Sequence, residues 1–359
     1  MKRAVTTLPL HHGRAPRWLF DKMTRLSAAI VSLILIEFGP RELLRRLADP
    51  IWFQAFGCVV GFDWHSSGLT TTLCGAIKDG LKSNAADLPI AVCGGKAARS
   101  RRTPEELTAY GDNWGIDASR FVSLSRLVAK IDNSLVQDGY NIYHHTFILT
   151  KEGDWAVIQQ GMNEEARTAR RYQWFSRENL DMLCEPHTGV TCDEQKDVLN
   201  LVARESAPVQ VAAVNFVKEN PDWMARTWQE IALAMPERHY IAATDVDARR
   251  LNRVFRTMHE SQPDTFDDLI RIKGVGARTV AALSLVSELV YNAPPSFKDP
   301  ARFSFAHGGK DGHPFPVQRK TYEESIGFLQ TCLDKARLAD RDKIDAFRRL
   351  SSFASNSNV

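Results

Sequence analysis

The stretch "RIKGVGARTVAAL", Arg271 to Leu283, sets two glycines around one valine between two apolar runs of helical period. Phe266, Leu269, Ile270 and Ile272 precede the glycines, and Val280, Leu283, Val286, Leu289 and Val290 follow them. Spacings of three and four mark helices with one buried face. Such a chain must end one helix, turn within Gly274-Val275-Gly276 and start another. Glycine has no Cβ, so it takes left-handed backbone and lets a ligand approach closely. The N–H groups opening the second helix lack intrahelical partners and lie at the positive end of its dipole. The spacing therefore predicts a helix-hairpin-helix over 266–290 with an anion site at its turn.

Ile272 and Val275 are expected to pin the turn to a core. Lys273, Arg278 and Thr279 then stand beside the anion. A GxG that only caps one helix and starts the next is the plainer alternative, but the full I-K-G-V-G-A-R-T context favours a nucleic-acid phosphate. Backbone contacts of this kind carry no sequence selectivity. The net charge of +3 is too small for a long-range field, so such binding depends on local clusters. "DARRLNRVFRTMHE" supplies one, with Arg249, Arg253 and Arg256 on one helix face and Arg250 alongside; taken alone, it is equally a solvated face. Lys96 to Arg102, and Arg167, Arg170 and Arg171 followed by Tyr172, Trp174 and Phe175, mix cations with aromatics in the manner of single-strand binders.

The remaining chain predicts an α+β fold: a mixed α/β domain over 1–192, a mainly helical domain over 193–350 and a disordered tail over 351–359. Helices are expected at 21–38 and 40–47, with Pro40 at a helix start. "FQAFGCVVGFDWHSSG", "LPIAVCGGK" and the stretch from Gly139 to Asn163 read as strands and turns. "TKEGD" makes a β-hairpin, with Gly153 at positive φ. Residues 293–317, rich in Pro and Gly, read as a long ordered loop or substrate-facing segment, before a helix pair over 319–350. The most apolar run, Leu26 to Phe38, falls short of the roughly 20 residues a bilayer requires and reads as a buried helix. Six scattered cysteines without CxxC spacing and no signal peptide point to the cytoplasm. Cys184 and Cys192 bracket His187, but buried or loop thiols are a better reading than a metal site. No metal, cofactor, membrane or protein partner is implied.

Three N-terminal motifs are polar for a core: His11-His12-Gly13, the run from Asp63, Trp64 and His65 to Gly68, and Tyr140 to His145 with Gln159 and Gln160. They could form a base pocket, with Trp64, Tyr143 or Trp155 stacking and His144, Gln159, Gln160 or Asn163 reading a polar edge. Equally, His11, Asp63, His65 and His144 could surround a divalent ion in a nuclease. "VCGGKAARS" and "AHGGKDGHP" lack GxxxxGK[ST] spacing, so neither is a nucleotide loop; Lys310 in the second is a candidate phosphate contact.

The hairpin, preceded by a helical array and followed by an acidic residue, resembles the helix-hairpin-helix superfamily of DNA base-excision glycosylases. Over its whole length, including "LPLHHGRAPRWL", "FDWHSSG" and "FSFAHGGKDGHPFPV", the chain also resembles a family of bacterial and archaeal proteins, and the resemblance extends to an anti-phage glycosylase that excises glucosylated hydroxymethylcytosine. The superfamily implies an aspartate about one helix after the hairpin, matched here by Asp299 in "FKDPARFSF". It also implies a lysine beside the glycines in enzymes that cut the strand, and Arg278 occupies that place. The expectation is a DNA-binding hydrolase that flips a modified base, holds Asp299 at the sugar and leaves an abasic site. Asp267 and Asp268 are competing carboxylates for which helix capping is the plainer role. A metal-dependent nuclease and a non-catalytic DNA-binding protein are the alternatives.

Overall fold

Residues 141–175 cross the molecule three times, because two tight turns interrupt runs rich in β-branched and aromatic residues. In the computed structural model, which describes residues 16–62, 68–192, 195–234, 248–301, 319–336 and 340–356, these runs form the middle of a five-stranded antiparallel sheet. Its strands are β1 (Ile90–Lys96), β3 (Asn141–Thr150), β4 (Trp155–Asn163), β5 (Thr168–Phe175) and β6 (Gly189–Thr191), in spatial order β1-β3-β4-β5-β6. The short β2 (Val136–Gln137) pairs with β7 (Leu199–Asn200). Gly153 takes φ +90° in the predicted β3–β4 turn.

Helices cover both faces of the sheet. On one face lie α1 (Arg17–Phe38), α2 (Pro40–Leu47), α3 (Pro50–Val59) and α4 (Gly68–Leu81), joined by α12 (Arg319–Lys335) and α13 (Asp340–Asn356). Their apolar residues share a core with Ile90, Val92, Ile148, Ala156 and Ile158 of the strands. On the other face lie α5 (Thr103–Trp114), α6 (Ser119–Lys130), α7 (Ala207–Lys218), α8 (Pro221–Ala234), α9 (Ala248–Ser261), α10 (Phe266–Arg271) and α11 (Ala277–Tyr291). These share a larger core with Ala91, Cys93, Phe147, Leu149, Trp155, Val157 and Trp174. Successive strand residues point to opposite faces, so each strand feeds both cores. The fold is α+β. The larger core draws on residues from both sides of position 192. Among the described residues, no helix is long and apolar enough to cross a membrane.

Two expectations change. The run from Phe53 to Val59, read as a strand, is the body of α3. Asp49 accepts from the N–H groups of Ile51 (2.8 Å) and Trp52 (2.9 Å), and Pro50 stands where a missing N–H costs nothing. All ten residues of this helix are buried, so no polar face betrays its period. Residues 351–356, expected in a disordered tail, continue α13. The described part of the proline-rich loop is extended: Val198 and Asn200 donate their N–H groups to the carbonyls of Phe297 and Ser296, each at 2.9 Å.

Gly94 shows how tightly β1 meets its neighbours. At φ +86°, a Cβ there would sit 2.3 Å from the carbonyl oxygen of His145 and 2.5 Å from Thr103 Oγ1. Gly115 also has positive φ, +67°, but nothing lies within 4 Å of its Cβ position. In urea unfolding, Gly94→Ala should cost about 3 kcal/mol, combining left-handed strain with overpacking. Gly115→Ala should cost only about 1 kcal/mol; equal losses would show that the close approach at Gly94 is not what the glycine serves.

Candidate nucleic-acid interface

The hairpin forms as its sequence predicts. Thr265 and Asp268 make a reciprocal capping box that starts α10, consistent with a structural role for Asp268. The chain turns at Gly274, φ +97°, and α11 starts after Gly276. Val275 is buried and Ile272 packs against the larger core, which fixes the turn. Only Gly274 needs left-handed backbone. Gly276 is extended at φ −134°, ψ −173°, and nothing lies within 4 Å of a Cβ built on it. No side chain caps α11, whose first bond runs from the N–H of Val280 to the carbonyl of Gly276 (2.9 Å). The N–H groups of Ala277, Arg278 and Thr279 precede that bond.

Cations surround this turn. Lys273 and Arg278 are exposed, and Thr279 is buried at the start of α11. Val254 of α9 lies 3.4 Å from the Cβ position of Gly274, so the basic helix passes directly beside the turn. Its buried face is Leu251, Val254, Phe255 and Met258; Arg249, Arg250, Arg253 and Arg256 are all exposed. The basic helix α9 therefore packs its apolar face beside the hairpin turn, where α11 starts without a side-chain cap.

Arg170 and Arg171 do not join it. β5 is an interior strand covered on both faces, so these arginines, with Tyr172 and Trp174, are buried rather than presented to a ligand. Arg170 sits between two carboxylates: Nη1 donates to Asp138 Oδ2 (2.9 Å) and Asp299 Oδ1 (3.0 Å), and Nη2 donates to Asp299 Oδ2 (2.8 Å). The N–H groups of Lys196 (3.0 Å) and Ala301 (2.8 Å) also donate to Asp299. With four hydrogen bonds and a side chain 3% exposed, Asp299 bolts the segment after the hairpin to β5.

The polar residues of β3 and β4 divide between the two faces. Tyr143, His144 and Gln160 lie on the side of α2 to α4, and the Gln160 amide donates to the Tyr143 hydroxyl (2.6 Å). Cross-strand pairing sets Lys96, His144, Gln160, Arg171 and Thr191 in one row across five strands. The row begins at exposed Lys96 and is buried from His144 inward. His144 Nε2 bonds the Thr146 hydroxyl (3.0 Å), while its Nδ1 is buried with no partner among the described residues. Gln159 points the other way, so it cannot line a pocket with His144 and Gln160.

Gln159 instead belongs to a chain of buried groups that the sequence reading missed. Asp132, within a π-helical turn over Ile131–Leu135, accepts from the Gln159 amide, from Trp174 Nε1 (2.9 Å) and from His187 Nε2 (2.6 Å). Since Gln159 donates its N–H, its Oε1 accepts from His145 Nδ1 (2.8 Å). His145 Nε2 is then left to accept from the Ser125 hydroxyl (2.8 Å). These groups contact one another and fix strand register. His187 is bonded to Asp132, and Cys192 Sγ lies against the Tyr140 hydroxyl (3.3 Å). Burial pushes the Cys74 and Cys93 thiols up to about 12, as expected of inert buried thiols.

His11, His12, Asp63, Trp64, His65 and Lys310 lie outside the described residues. Sequence models match the chain, over residues 4–317, to a family described as "Protein of unknown function (DUF763)". No curated protein and no solved structure matches it.

Burial pushes the His144 imidazole down to about 3, with further repulsion from His145 and Lys96. An unfolded chain takes up this proton near 6.5. Between about 6.5 and 3 the unfolded state therefore binds more protons, and stability falls as pH falls through that window. Urea unfolding should show a loss of about 2 kcal/mol from His144 between pH 7 and pH 5. His144→Gln should flatten this pH dependence; an unaltered slope would mean that the proton goes elsewhere.

Proposed function

We propose that this chain, which belongs to the DUF763 family, is a DNA glycosylase that extrudes a modified base and hydrolyses its N-glycosidic bond in the cytoplasm. The observation that carries the reading is the uncapped start of α11, with open space in front of Gly276 and exposed cations on the turn and on α9. Backbone N–H groups and fixed positive charge suit a phosphodiester, because they recognise an anion without reading a base. A bulky modified cytosine, such as the glucosylated hydroxymethyl form, is the proposed substrate. Tyr143 and the buried His144 and Gln160 are the residues assigned to its edge, which requires α2 to α4 to give access to them.

The chemistry asks for little beyond position. Water adds at the sugar C1′, the bond to the base breaks, and the base leaves with a proton. Positive charge grows on the sugar meanwhile, and the carboxylate assigned to balance it is Asp299, on the segment after the hairpin. Its two oxygens are engaged by Arg170, so direct contact with a sugar requires that fork to open. Arg278 is exposed where a lysine would be needed for a Schiff base, and a guanidinium does not supply that amine. Hydrolysis without strand cleavage is therefore the expected outcome.

Duplexes carrying unmodified, deaminated or glucosylated hydroxymethylated cytosine, incubated with a chelator present and then treated with alkali, test the reading. Released base and breaks that need alkali are expected on the glucosylated substrate. Asp299→Asn should remove them while circular dichroism shows a folded protein; turnover at the wild-type rate would leave Asp299 a purely structural bolt. Breaks that appear without alkali and vanish with chelator would indicate a nuclease instead. Binding without chemistry on any substrate would indicate an adaptor.

For the hairpin, Lys273→Ala with Arg278→Ala should weaken duplex binding and make its logarithmic salt dependence shallower by about 1.8, two phosphates' worth. An unchanged slope would move the backbone contact elsewhere.

A further inference from the structure

Next to the hairpin lies a cleft of about 630 Å³, walled by α6, the β3–β4 turn, the loop after β5 and the last residue of α10. Four arginines, Arg41, Arg120, Arg177 and Arg271, face it, against the carboxylates of Asp154 and Glu178. Arg41 is paired with Asp154. Arg271 is paired with Asp267, so Arg120 and Arg177 remain on the rim with Glu178 between them. Arg271 is held in place, its Nε donating to Asp267 (2.8 Å) and its Nη1 to the Ser123 hydroxyl (2.8 Å). Leu124, Trp155, Leu180 and Met182 supply its apolar lining.

We infer that this cleft holds an unpaired nucleotide of the DNA strand gripped at the hairpin, an inference that rests on the DNA reading above. An apolar lining with a cationic rim matches a ligand with a flat apolar body and an anionic end. A nucleotide has both: its base lies on Leu124, Leu180 and Met182, and its phosphates meet the guanidiniums. The volume is that of a small-ligand site, which ranges over about 300–1,000 Å³, and far below what an intact duplex occupies. Arg271 ends α10 two residues before Lys273, so a backbone leaving the turn meets the rim next. A strand held this way is splayed from its partner beside the point of grip, as extrusion of a base requires.

The experiment measures fluorescence anisotropy with a labelled short oligothymidylate and with a blunt duplex over a series of salt concentrations. It compares the wild type, Arg120→Ala/Arg177→Ala and Lys273→Ala/Arg278→Ala. Arg120 and Arg177 are exposed, so the cleft variant should melt at the wild-type temperature. It should bind the oligothymidylate about tenfold more weakly, with a salt slope shallower by about 1.4. It should keep duplex affinity within about twofold, and the hairpin variant should lose it. Wild-type binding of the duplex alone, or oligothymidylate binding unaltered in the cleft variant, would overturn the cleft assignment and leave the hairpin reading standing. A wild type that binds neither DNA would overturn both.

Discussion

One buried guanidinium ties the molecule together. Arg170 has a fully buried side chain, and burying a charge costs several kcal/mol unless its donors are met. Its terminal nitrogens are met by residues far apart in sequence: Asp138 after β2, and Asp299 after the hairpin. The carboxylates are in turn satisfied by other groups. The Tyr172 hydroxyl (2.5 Å) and the N–H of Tyr140 (3.0 Å) donate to Asp138, and the Tyr140 ring lies 4.8 Å from the guanidinium. Removing any one member strands a charge, at a cost of about 3–5 kcal/mol. The segment that leaves α11 is thereby fixed to an interior strand, so the hairpin is a rigid extension of the sheet.

The same strict alternation that builds two cores places a polar layer against each. On one face the Asp132 network runs from Ser125 to His187. On the other, His144, Gln160, Arg171 and Gln173 lie under α2 to α4, where Arg171 donates to Gln54 Oε1 (3.1 and 3.2 Å) and Gln173 to the Leu47 carbonyl (2.8 Å). Hydrogen bonds at fixed offsets penalise a register slip more than apolar packing does, because a slip of one residue exchanges the two faces. This gives the buried polar residues a structural reason to exist, independent of any ligand.

That reason explains what could be read from sequence and what could not. The hairpin was readable because its signals are local: a helical period on each side, glycines between them and an acidic first turn. The β3–β4 pair was readable for the same reason. α3 was not, since a helix buried on every side has no polar stripe, although Asp49-Pro50 carried its start signal. Arg170 and Arg171, beside Tyr172 and Trp174, look like a binding surface until the strand's interior position is known. Likewise Asp299 looks available by its spacing, and only the three-dimensional fold brings Arg170 to it. Pairs such as Asp132 with His187, 55 residues apart, follow no local pattern.

A chain with a net charge of only +3 can still hold a polyanion if its cations are held where phosphates pass. Here α10 does much of that holding, though it is only six residues long and too short to be stable alone. Its first turn is closed by the Thr265–Asp268 capping box, and its buried face, Phe266, Leu269 and Ile270, belongs to the larger core. At its end, Arg271 is clamped by Asp267 and Ser123, and the Ile272 carbonyl accepts from Lys130 Nζ (3.5 Å). One face of this short helix leads into the glycine turn and the other into the arginine-rimmed cleft. Tertiary contacts, rather than helix propensity, therefore set the spacing between the two basic surfaces, and loosening α10 would misalign both at once.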